Sequence, residues 1–427
     1  MSVFLPSATP HRCQIILARF PLAKDIMSTS LHASSEALHQ RFSDLFARIA
    51  EGAVARENDR RLPYEEVRQL KEAGFSALRV PKELGGSGVS LEDFFYVLIR
   101  LGEAESNLPQ ILRVNAGFTE LLHERKDDAG TRRWLGVIGS GKTFGASTSE
   151  RNAATGNSAL LEKDADGRLR LNGEKYYSTG TLYADWVLVR AHDSESDFNV
   201  LVQADAKGVE RIDDWDGFGQ RLTGSGTTRF HNVPVPQDQV LDRYQVSQPR
   251  RNSIITSFYQ TFHLATLSGI ARAALRDAVA FTQPRTRTFG VPGNSSPREN
   301  PLVHRVVGRL ASLAWSAEQL TLSIAREQDA LNAARRAGTV TTEDYNALDI
   351  HTFQAQQVVI GQVLEATTLL FEVGGASATS ETRRLDRHWR NARTLASHNP
   401  AIQREAAVGN YHLNGEPHNE RFGSGYA

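Results

Sequence analysis

The sequence has almost no cysteine and no excess of either charge. Cys13 is the single thiol among 427 residues, which excludes an intrachain disulfide and a metal site built from several thiolates. Lysine and arginine number 49, as do aspartate and glutamate, so the formal net charge is zero. Proteins that bind nucleic acid or attach to membranes through basic clusters usually carry a basic excess. Both functions are therefore disfavoured.

The sequence also lacks a long apolar run and a clear targeting segment. No stretch reaches the roughly 18–20 apolar residues of a transmembrane helix, and a reducing, cytoplasmic location fits best. Residues 1–30 contain no acid before Asp25, and their apolar stretch is too short for a signal peptide. We expect a flexible N-terminal extension, with Met27 as an alternative start and a transit-like tail as the competing interpretation.

Length and periodicity predict three domains, because 427 residues exceed what one hydrophobic core usually carries. Apolar residues recur at helical spacing in residues 31–142, which predicts an N-terminal helical domain. The period changes to two in residues 143–241, which predicts a central β-barrel-like domain. Long helical segments in residues 242–427 predict a C-terminal four-helix bundle. The fold class is therefore α+β, without the alternation of a doubly wound sheet.

Several familiar catalytic motifs are absent or lie in the wrong context. Residues 136–143 (GVIGSGKT) match the phosphate-loop pattern, but that loop requires a strand before it and a helix after it. The flanking residues predict the reverse order. The 13 histidines show no metal-ligand spacing, so no metal site is predicted, and no G-x-S-x-G motif is present.

Three distant segments, residues 144–156, 172–186 and 383–400, carry polar side chains suited to a heterocyclic ligand. Consecutive hydroxyls and loop amides can bond the many polar atoms of such a ring; a hydroxyl-rich turn without a ligand is the alternative. The third segment is a basic helix that ends at His398, where an imidazolium would also stabilise the helix dipole. The hydroxyl-bearing residues are Ser147, Thr148, Ser149, Tyr177, Ser178 and Thr179.

Five motifs in order resemble one protein family. They are VPKELGGSG (80–88), SERNAATGNS (149–158), KYYSTG (175–180), RTRTFG (285–290) and FEVGGASATSETRRLDRHWRNAR (371–393). Over about residues 35–415 the chain thus resembles the acyl-CoA dehydrogenase superfamily of flavoproteins. The resemblance implies contacts to flavin from the second and third motifs and contacts to its phosphate from the fourth.

The catalytic glutamate of the dehydrogenases is missing from both positions that the family uses. In one position, after the basic helix, Asn399 replaces the glutamate and His398 the preceding tyrosine. Near the other position, Leu264–Gly269, the sequence has Thr266 and no acid. An amide cannot remove an α-proton, so ordinary dehydrogenation is not expected.

The same region resembles the flavin-dependent monooxygenase branch of that superfamily, the dibenzothiophene-monooxygenase-like and sulfur-acquisition proteins. The matching segments are residues 213–236, 385–400 (LDRHWRNARTLASHNP) and 408–415 (VGNYHLNG). The resemblance implies a two-component monooxygenase that uses reduced flavin and O2, through a C4a-hydroperoxide, to oxygenate a small organic substrate at sulfur or nitrogen. It also implies a separate flavin reductase, a homotetramer, and FMN in preference to FAD.

Residue roles follow from the same resemblance. His398 would donate a hydrogen bond to the peroxide, and Thr179 would hold flavin N5 or the distal oxygen. Asn115 and Trp215 would line the substrate pocket, and Arg287 would clamp the phosphate. The other expected flavin contacts are Ser147, Thr148, Ser149, Tyr177, Ser178, Phe289, Gly374, Gly375, Ser377 and Asn399.

The chain departs from the dibenzothiophene-type members at three positions. They carry histidine where Leu395 and Asn115 stand, and serine where Thr179 stands. Threonine keeps the hydroxyl, but the two lost histidines leave the substrate and the proton relay open. The alternatives are an acyl-CoA dehydrogenase with an unusual base and a non-catalytic assembly protein that kept the fold.

Overall fold

The computed structural model describes residues 34–151, 157–193, 195–245, 252–286 and 296–418. Helices precede and follow one β-sheet, so the predicted order of helical block, β block and helical bundle is confirmed. Within these residues, no helix is both long and apolar enough to cross a membrane. The predicted N-terminal extension lies outside the described residues.

Amphipathic helices form the N-terminal block. The start of α4 shows how local sequence sets the boundaries: Ser90 accepts a hydrogen bond from the Asp93 amide at 3.0 Å and caps the helix. The helices are α1 (Ser43–Glu51), α2 (Ala53–Asp59), α3 (Tyr64–Glu72), α4 (Leu91–Ala104), α5 (Asn107–Glu124) and α6 (Ala129–Gly139).

The central block is one mostly antiparallel sheet in the order β6-β7-β3-β2-β4-β5-β8, with β1 added parallel to β4. Alternating side chains of β4 enter two cores: Val187 and Val189 pack within the sheet's own core, whereas Leu188 packs against α5 and α6. The strands are β1 (Phe144–Ser147), β2 (Leu160–Lys163), β3 (Leu169–Lys175), β4 (Trp186–His192), β5 (Asp197–Gln203), β6 (Val209–Arg211), β7 (Thr228–Pro234) and β8 (Val240–Tyr244).

The C-terminal helices and the N-terminal block share one apolar core. Phe95 of α4 and Phe258 of α7 illustrate the contact, with ring centroids 5.4 Å apart. As a result, α5 lies between the sheet and α7. The helices are α7 (Ile255–Thr282), α8 (Pro301–Arg336), α9 (Thr342–Leu369), α10 (Asp386–Ala396) and α11 (Ala401–Asn414).

The apparent phosphate loop, residues 136–143, joins the end of α6 to β1. A helix precedes it and a strand follows it, which is the reverse of the order that cradles phosphate. The Lys142 ammonium donates to Asp185, 3.1 Å away. The segment therefore serves as a connection into the sheet.

Candidate active site

Buried hydroxyls form one half of the candidate site. We call Ser147, Ser178, Thr179, Thr223 and Ser225 the hydroxyl cluster. The Ser147 Oγ, at the end of β1, lies 2.9 Å from the Ser178 Oγ. The Thr179 Oγ1 lies 2.9 Å from the Ser225 Oγ, which is 2.7 Å from the Thr223 Oγ1. Because each hydroxyl can donate or accept, the cluster can adapt to a ring that presents both kinds of atom.

The other predicted residues of the two hydroxyl segments lie around this cluster. Tyr177 is 47% exposed and has a φ of 56°, a left-handed conformation that is uncommon for a tyrosine. Its ring meets the Trp215 ring edge to face at 6.2 Å. The Ser149 carbonyl accepts from the Tyr176 amide at 3.2 Å, and Thr148 is half-buried.

Gly180 brings the hydroxyl cluster against α5. It has a φ of 79°, and a Cβ built there would lie 2.5 Å from the Ile111 carbonyl oxygen. Only glycine avoids both the strain and the clash. The backbone after Thr179 therefore lies directly on the helix that also carries the second half of the site.

The second half is a group of buried polar side chains from three parts of the fold. We call Arg113 of α5, Gln260 and His263 of α7, and His398 and Asn399 after α10 the histidine cluster. The His263 and His398 rings lie 4.3 Å apart between centroids, tilted by 51°. The Arg113 Nη2 lies 3.4 Å from the His398 Nε2. His398 is partly exposed, whereas the other four are buried.

Two arginines fix the direction of the hydrogen bonds through this cluster. Arg404 donates to the Gln260 Oε1, which also accepts from the Asn399 Nδ2 at 2.8 Å. The Asn399 Oδ1, 3.1 Å from the His398 Nδ1, must then accept a proton from that nitrogen. Arginine has no acceptor, so Arg113 donates to the His398 Nε2. The His398 proton therefore sits on Nδ1 and the lone pair on Nε2.

The same surroundings keep both histidines neutral. Burial and then the nearby Arg113 charge lower the pKa of His398 to about 3, against the opposing hydrogen bond to Asn399. Burial also holds the pKa of His263 well below its usual range, with His398 and Arg113 acting in the same direction. A neutral imidazole can accept or pass on a proton at one nitrogen while the other is held.

A loop from the β domain connects the two halves. The Gln220 amide donates to the Asn391 Oδ1 at 2.6 Å, and Asn391 lies on α10, two turns before His398. The Gln220 carbonyl accepts from the Thr223 hydroxyl of the hydroxyl cluster at 2.9 Å. Gln220 itself has a φ of 51°, and such backbone strain often marks functional loops.

Both predicted substrate residues already have protein partners. The Asn115 amide group donates to the Ser76 carbonyl at 2.9 Å, and its Oδ1 accepts from the Phe144 amide at 3.2 Å. The Trp215 Nε1 donates to the Gln220 carbonyl at 3.0 Å. Asn115 thus ties α5 to β1, and Trp215 braces the connecting loop.

The predicted phosphate-contacting residues lie at another end of the bundle, in so far as the structure describes them. Arg287 and Phe289 lie outside the described residues. Gly374 packs against the Phe281 ring, where a Cβ would come within 2.1 Å. Gly375 and Ser377 are exposed in the short turns that follow.

Sequence reasoning missed Arg113, Gln260 and His263. Each is a polar residue inside an otherwise apolar helical run, QILRVNAGF or FYQTFHLATLSG. A polar residue on a buried helix face needs a partner, and that was the available signal. The sequence did not reveal that these residues meet His398, because they come from different helices.

Unsatisfied polar atoms show that the site suits a polar ligand. Among the described residues, three buried atoms here have no hydrogen-bond partner: Gln220 Oε1, Arg113 Nε and His263 Nε2. Leaving such groups unpaired is costly unless a ligand or water completes them. The hydroxyl cluster, whose members can donate or accept, fits a heterocycle that carries both amide and carbonyl groups, as flavin does.

Family models match both helical parts of the chain. The acyl-CoA dehydrogenase N-terminal domain matches residues 34–142, and the acyl-CoA dehydrogenase C-terminal domain matches residues 262–402. Together the two matches cover more than half of the chain. The second includes the whole histidine cluster except Arg113 and Gln260.

Two relatives of the chain are named as monooxygenases, and a similar solved structure holds FMN. A probable FMNH2-dependent monooxygenase from Pseudomonas putida is 28% identical over 87% of this chain and 93% of its own length. Dibenzothiophene monooxygenase from Mycolicibacterium goodii is 27% identical over 82% of this chain and 87% of its own. The FMN-bound structure of TdsC from Paenibacillus sp. A11-2 superimposes with a TM-score of 0.82, at 26% identity over 90% of this chain and 99% of that one.

The close approach at Gly180 predicts a difference between two glycine variants. Gly338 has a similar φ, 70°, but a Cβ there would meet nothing within 4 Å. Gly338→Ala should therefore lower the free energy of unfolding by about 1–2 kcal/mol from backbone strain alone. Gly180→Ala should cost about 2–5 kcal/mol, because it also displaces α5. Denaturant unfolding compares them, and equal losses would contradict the proposed contact.

The hydrogen-bond arrangement also predicts a neutral His398 in mild acid. Its folded pKa of about 3 lies below the unfolded value of about 6.5. The unfolded chain therefore binds the extra proton first, and stability present above pH 6.5 is lost as pH falls toward 3. Imidazole ¹³C NMR, with His398→Gln assigning the resonance and the denatured chain as control, should show a neutral ring at pH 5. A midpoint near 6.5 in the folded protein would refute the arrangement.

Proposed function

The chain belongs to the acyl-CoA dehydrogenase family, and from that premise we propose that it is a flavin-dependent monooxygenase. It uses reduced FMN and O2 to oxygenate a small organic substrate at sulfur or nitrogen. The relatives support this proposal: one is named as FMNH2-dependent, one as a dibenzothiophene monooxygenase, and one holds FMN in its structure.

One observation distinguishes this proposal from dehydrogenation. The histidine cluster contains no carboxylate, and Asn399 occupies the position expected for the base. Its amide is fully engaged, with Nδ2 donating to Gln260 and Oδ1 accepting from His398. Asn399 therefore positions the imidazole and cannot abstract a carbon-bound proton.

The hydroxyl cluster would hold the flavin ring. Thr179 is the member we assign to N5, with Ser147 and Ser178 beside it, because all three are buried and their hydroxyls can rotate to suit a donor or an acceptor. Reduced FMN, once bound, supplies the two electrons that activate O2. Burial of these hydroxyls excludes water and strengthens their hydrogen bonds.

His398 would accept and donate a proton at Nε2. Its Nδ1 proton is committed to Asn399, so Nε2 is the nitrogen free to exchange partners. To donate a hydrogen bond toward the reacting oxygen, as the sequence predicts, Nε2 must first receive a proton. Arg113 holds this nitrogen in the observed arrangement, so a bound substrate that engages Arg113 would release it.

The phosphate of a flavin bound by a neighbouring subunit would lie near Gly374, with the expected contributions of Arg287, Phe289, Gly375 and Ser377, because Phe281 stands about 27 Å along α7 from His263. The guanidinium groups of Arg285 and Arg383 both lie over the Phe281 ring, at 4.6 and 4.9 Å from its centroid. Phe281 in turn packs on Gly374. The positive charges of Arg285 and Arg383 near Gly374 support a phosphate site there. Tyr177, Thr148, Ser149 and Trp215 would border the ring and the substrate.

A separate flavin reductase would supply the reduced FMN. The relative from Pseudomonas putida is named for its dependence on FMNH2, and a monooxygenase that uses reduced flavin as a substrate needs a second protein to make it. We place both proteins in the reducing cytoplasm, in keeping with the single cysteine.

We further propose that the chain forms a homotetramer through its C-terminal helices. Five large apolar side chains on these helices are 47–84% accessible, and a contiguous apolar surface is typical of an interface between proteins. They are Leu302 and Trp315 on α8, Val358 on α9, and Ile402 and Leu413 on α11.

The oligomer can be tested with two matched substitutions. Trp315 is 67% exposed on the bundle, and Tyr64 is 51% exposed on the N-terminal block. Trp315→Glu should shift the protein toward dimers or monomers in light scattering, because a charge in an apolar interface is desolvated without a partner. Tyr64→Glu should leave the mass unchanged. A monomeric wild type, or identical behaviour of both variants, would refute the proposal.

Flavin titration and rapid mixing test the activity. We expect reduced FMN to bind more tightly than oxidised FMN, and mixing the reduced complex with O2 to give a transient absorbance distinct from oxidised FMN. Thr179→Val should shorten its lifetime by about 10-fold or more, since a donor in a dry site contributes about 1–3 kcal/mol. Thr179→Ser should preserve it.

Three results would count against this activity. Immediate reoxidation without a transient in the wild type would count against oxygenation. Bleaching of bound oxidised flavin by an acyl-CoA without oxygen would instead identify a dehydrogenase with an unusual base. Failure of both oxidised and reduced FMN to raise the melting temperature would favour a non-catalytic assembly protein.

A further inference from the structure

Arg113 is a buried cation that has no carboxylate partner within the described part of the chain. Arg113 is only 8% exposed. Its contacts are the neutral His398 Nε2 at 3.4 Å and the face of the Tyr259 ring, 5.0 Å from the centroid. Its Nε has no hydrogen-bond partner. A buried guanidinium is normally paired.

Two other arginines of the protein interior, Arg56 and Arg100, follow that rule. Arg56 contacts both Glu66 and Glu105, at 3.0 and 3.2 Å. Arg100 forms a two-pronged pair with Glu318, at 2.7 and 2.9 Å. These arginines connect helices, and their charge is neutralised within the fold. Arg113 differs from them because its charge is left available.

A second donor without an acceptor lies in the same cluster. The Asn399 Nδ2 faces the His263 Nδ1 at 3.5 Å, which makes Nδ1 the acceptor and places the proton on Nε2. The His263 Nε2 is buried and has no partner among the described residues. Two orphan N–H groups, one of them on a cation, thus share a site that contains no acid. The missing partner is an acceptor with negative charge.

The orientation of α5 indicates which ligand carries that charge. Ile111 and Asn115 contact the β domain, at Gly180 and Phe144. Arg113 is two positions from each and therefore projects from a different face of the helix, toward Tyr259 of α7 and His398. Its guanidinium thus lies beside His398, the residue proposed to act on the reacting oxygen, and not among the hydroxyls proposed to hold the flavin ring.

We propose that Arg113 binds the acid group of the substrate, and that the substrate is a small organic monoanion such as a carboxylate or a sulfinate. A single guanidinium offers one planar fork, which matches one such group through two parallel hydrogen bonds. His263 adds a donor from α7. This inference rests on the proposed monooxygenase function, and it assigns the side of the site next to His398 to the substrate.

Binding of the anion would also change the hydrogen bonding of the His398 Nε2. Once the Arg113 fork turns to the acid group, it no longer donates to the His398 Nε2, and its positive charge is compensated. The nitrogen proposed to handle the proton thus becomes free only when substrate is present. Substrate recognition and proton handling are coupled through one arginine.

The first experiment measures anion binding without turnover. Benzenesulfinate and benzoate should each raise the melting temperature of the wild type by about 2–5 °C at saturation, whereas the neutral benzamide should not. Arg113→Met should abolish the shift, and Arg113→Lys should retain part of it. An equal response to benzamide, or an unchanged anion response in Arg113→Met, would overturn the proposal.

The second experiment asks whether Arg113 is a structural residue. Arg113→Met should leave the melting temperature of the ligand-free protein unchanged or raise it, because it removes an unpaired buried charge. Arg100→Met is the matched control and should lower it by several degrees, because it breaks a buried pair with Glu318. If the melting temperature of Arg113→Met fell as much as that of Arg100→Met, a ligand-binding role for Arg113 would be refuted.

The flavin cofactor is the other anion that Arg113 could bind. Titration with reduced FMN distinguishes the cofactor from the substrate. If Arg113 serves the substrate, Arg113→Met should change the Kd for reduced FMN by less than about twofold. A tenfold or greater loss of FMN affinity would assign Arg113 to the cofactor and overturn the inference. A wild type that forms the oxygen-dependent transient but responds to neither anion refutes the inference alone. A wild type that binds the anions but forms no transient refutes the monooxygenase instead.

Discussion

The candidate site depends on a line of hydrogen bonds with an arginine at each end. Arg404 and Arg113 can only donate, so every group between them has its direction fixed: Gln260 accepts, Asn399 relays, and His398 keeps its proton on Nδ1. The line joins three helices and the end of a fourth. It explains why an amide at the dehydrogenase-base position is useful: it can accept from one side and donate to the other, whereas a carboxylate only accepts.

The fold places this line next to the hydroxyl cluster through α5. One side of the helix contacts the sheet, where Gly180 lets the chain after Thr179 approach the Ile111 carbonyl. The other side carries Arg113 toward α7 and His398. The hydroxyl cluster would hold the ring and Arg113 would hold the substrate beside His398, so one helix would help to position both.

Local sequence was sufficient for much of the fold. The change of hydrophobic period near residue 143 marked the passage from helices to sheet. Motif order was sufficient for the family, and it predicted roles for Thr179, His398 and Asn399, which the structure places in the two clusters. It failed for Arg113, Gln260 and His263, because their role comes from what they face across helix interfaces. Asn115 illustrates the converse: its amide is engaged with Ser76 and Phe144, contacts that its motif position did not reveal.

The sequence by itself determined the elements, their order, and the absence of an acid at the expected base position, because these depend on residue type and spacing along the chain. The tertiary structure alone decided which nitrogen of His398 carries the proton, and that Arg113 is left without a counter-charge. Both properties depend on distances of about 3 Å between side chains more than a hundred residues apart. The strength of a hydrogen bond and the cost of a buried charge depend on those distances and on the loss of water around them, which no local pattern specifies.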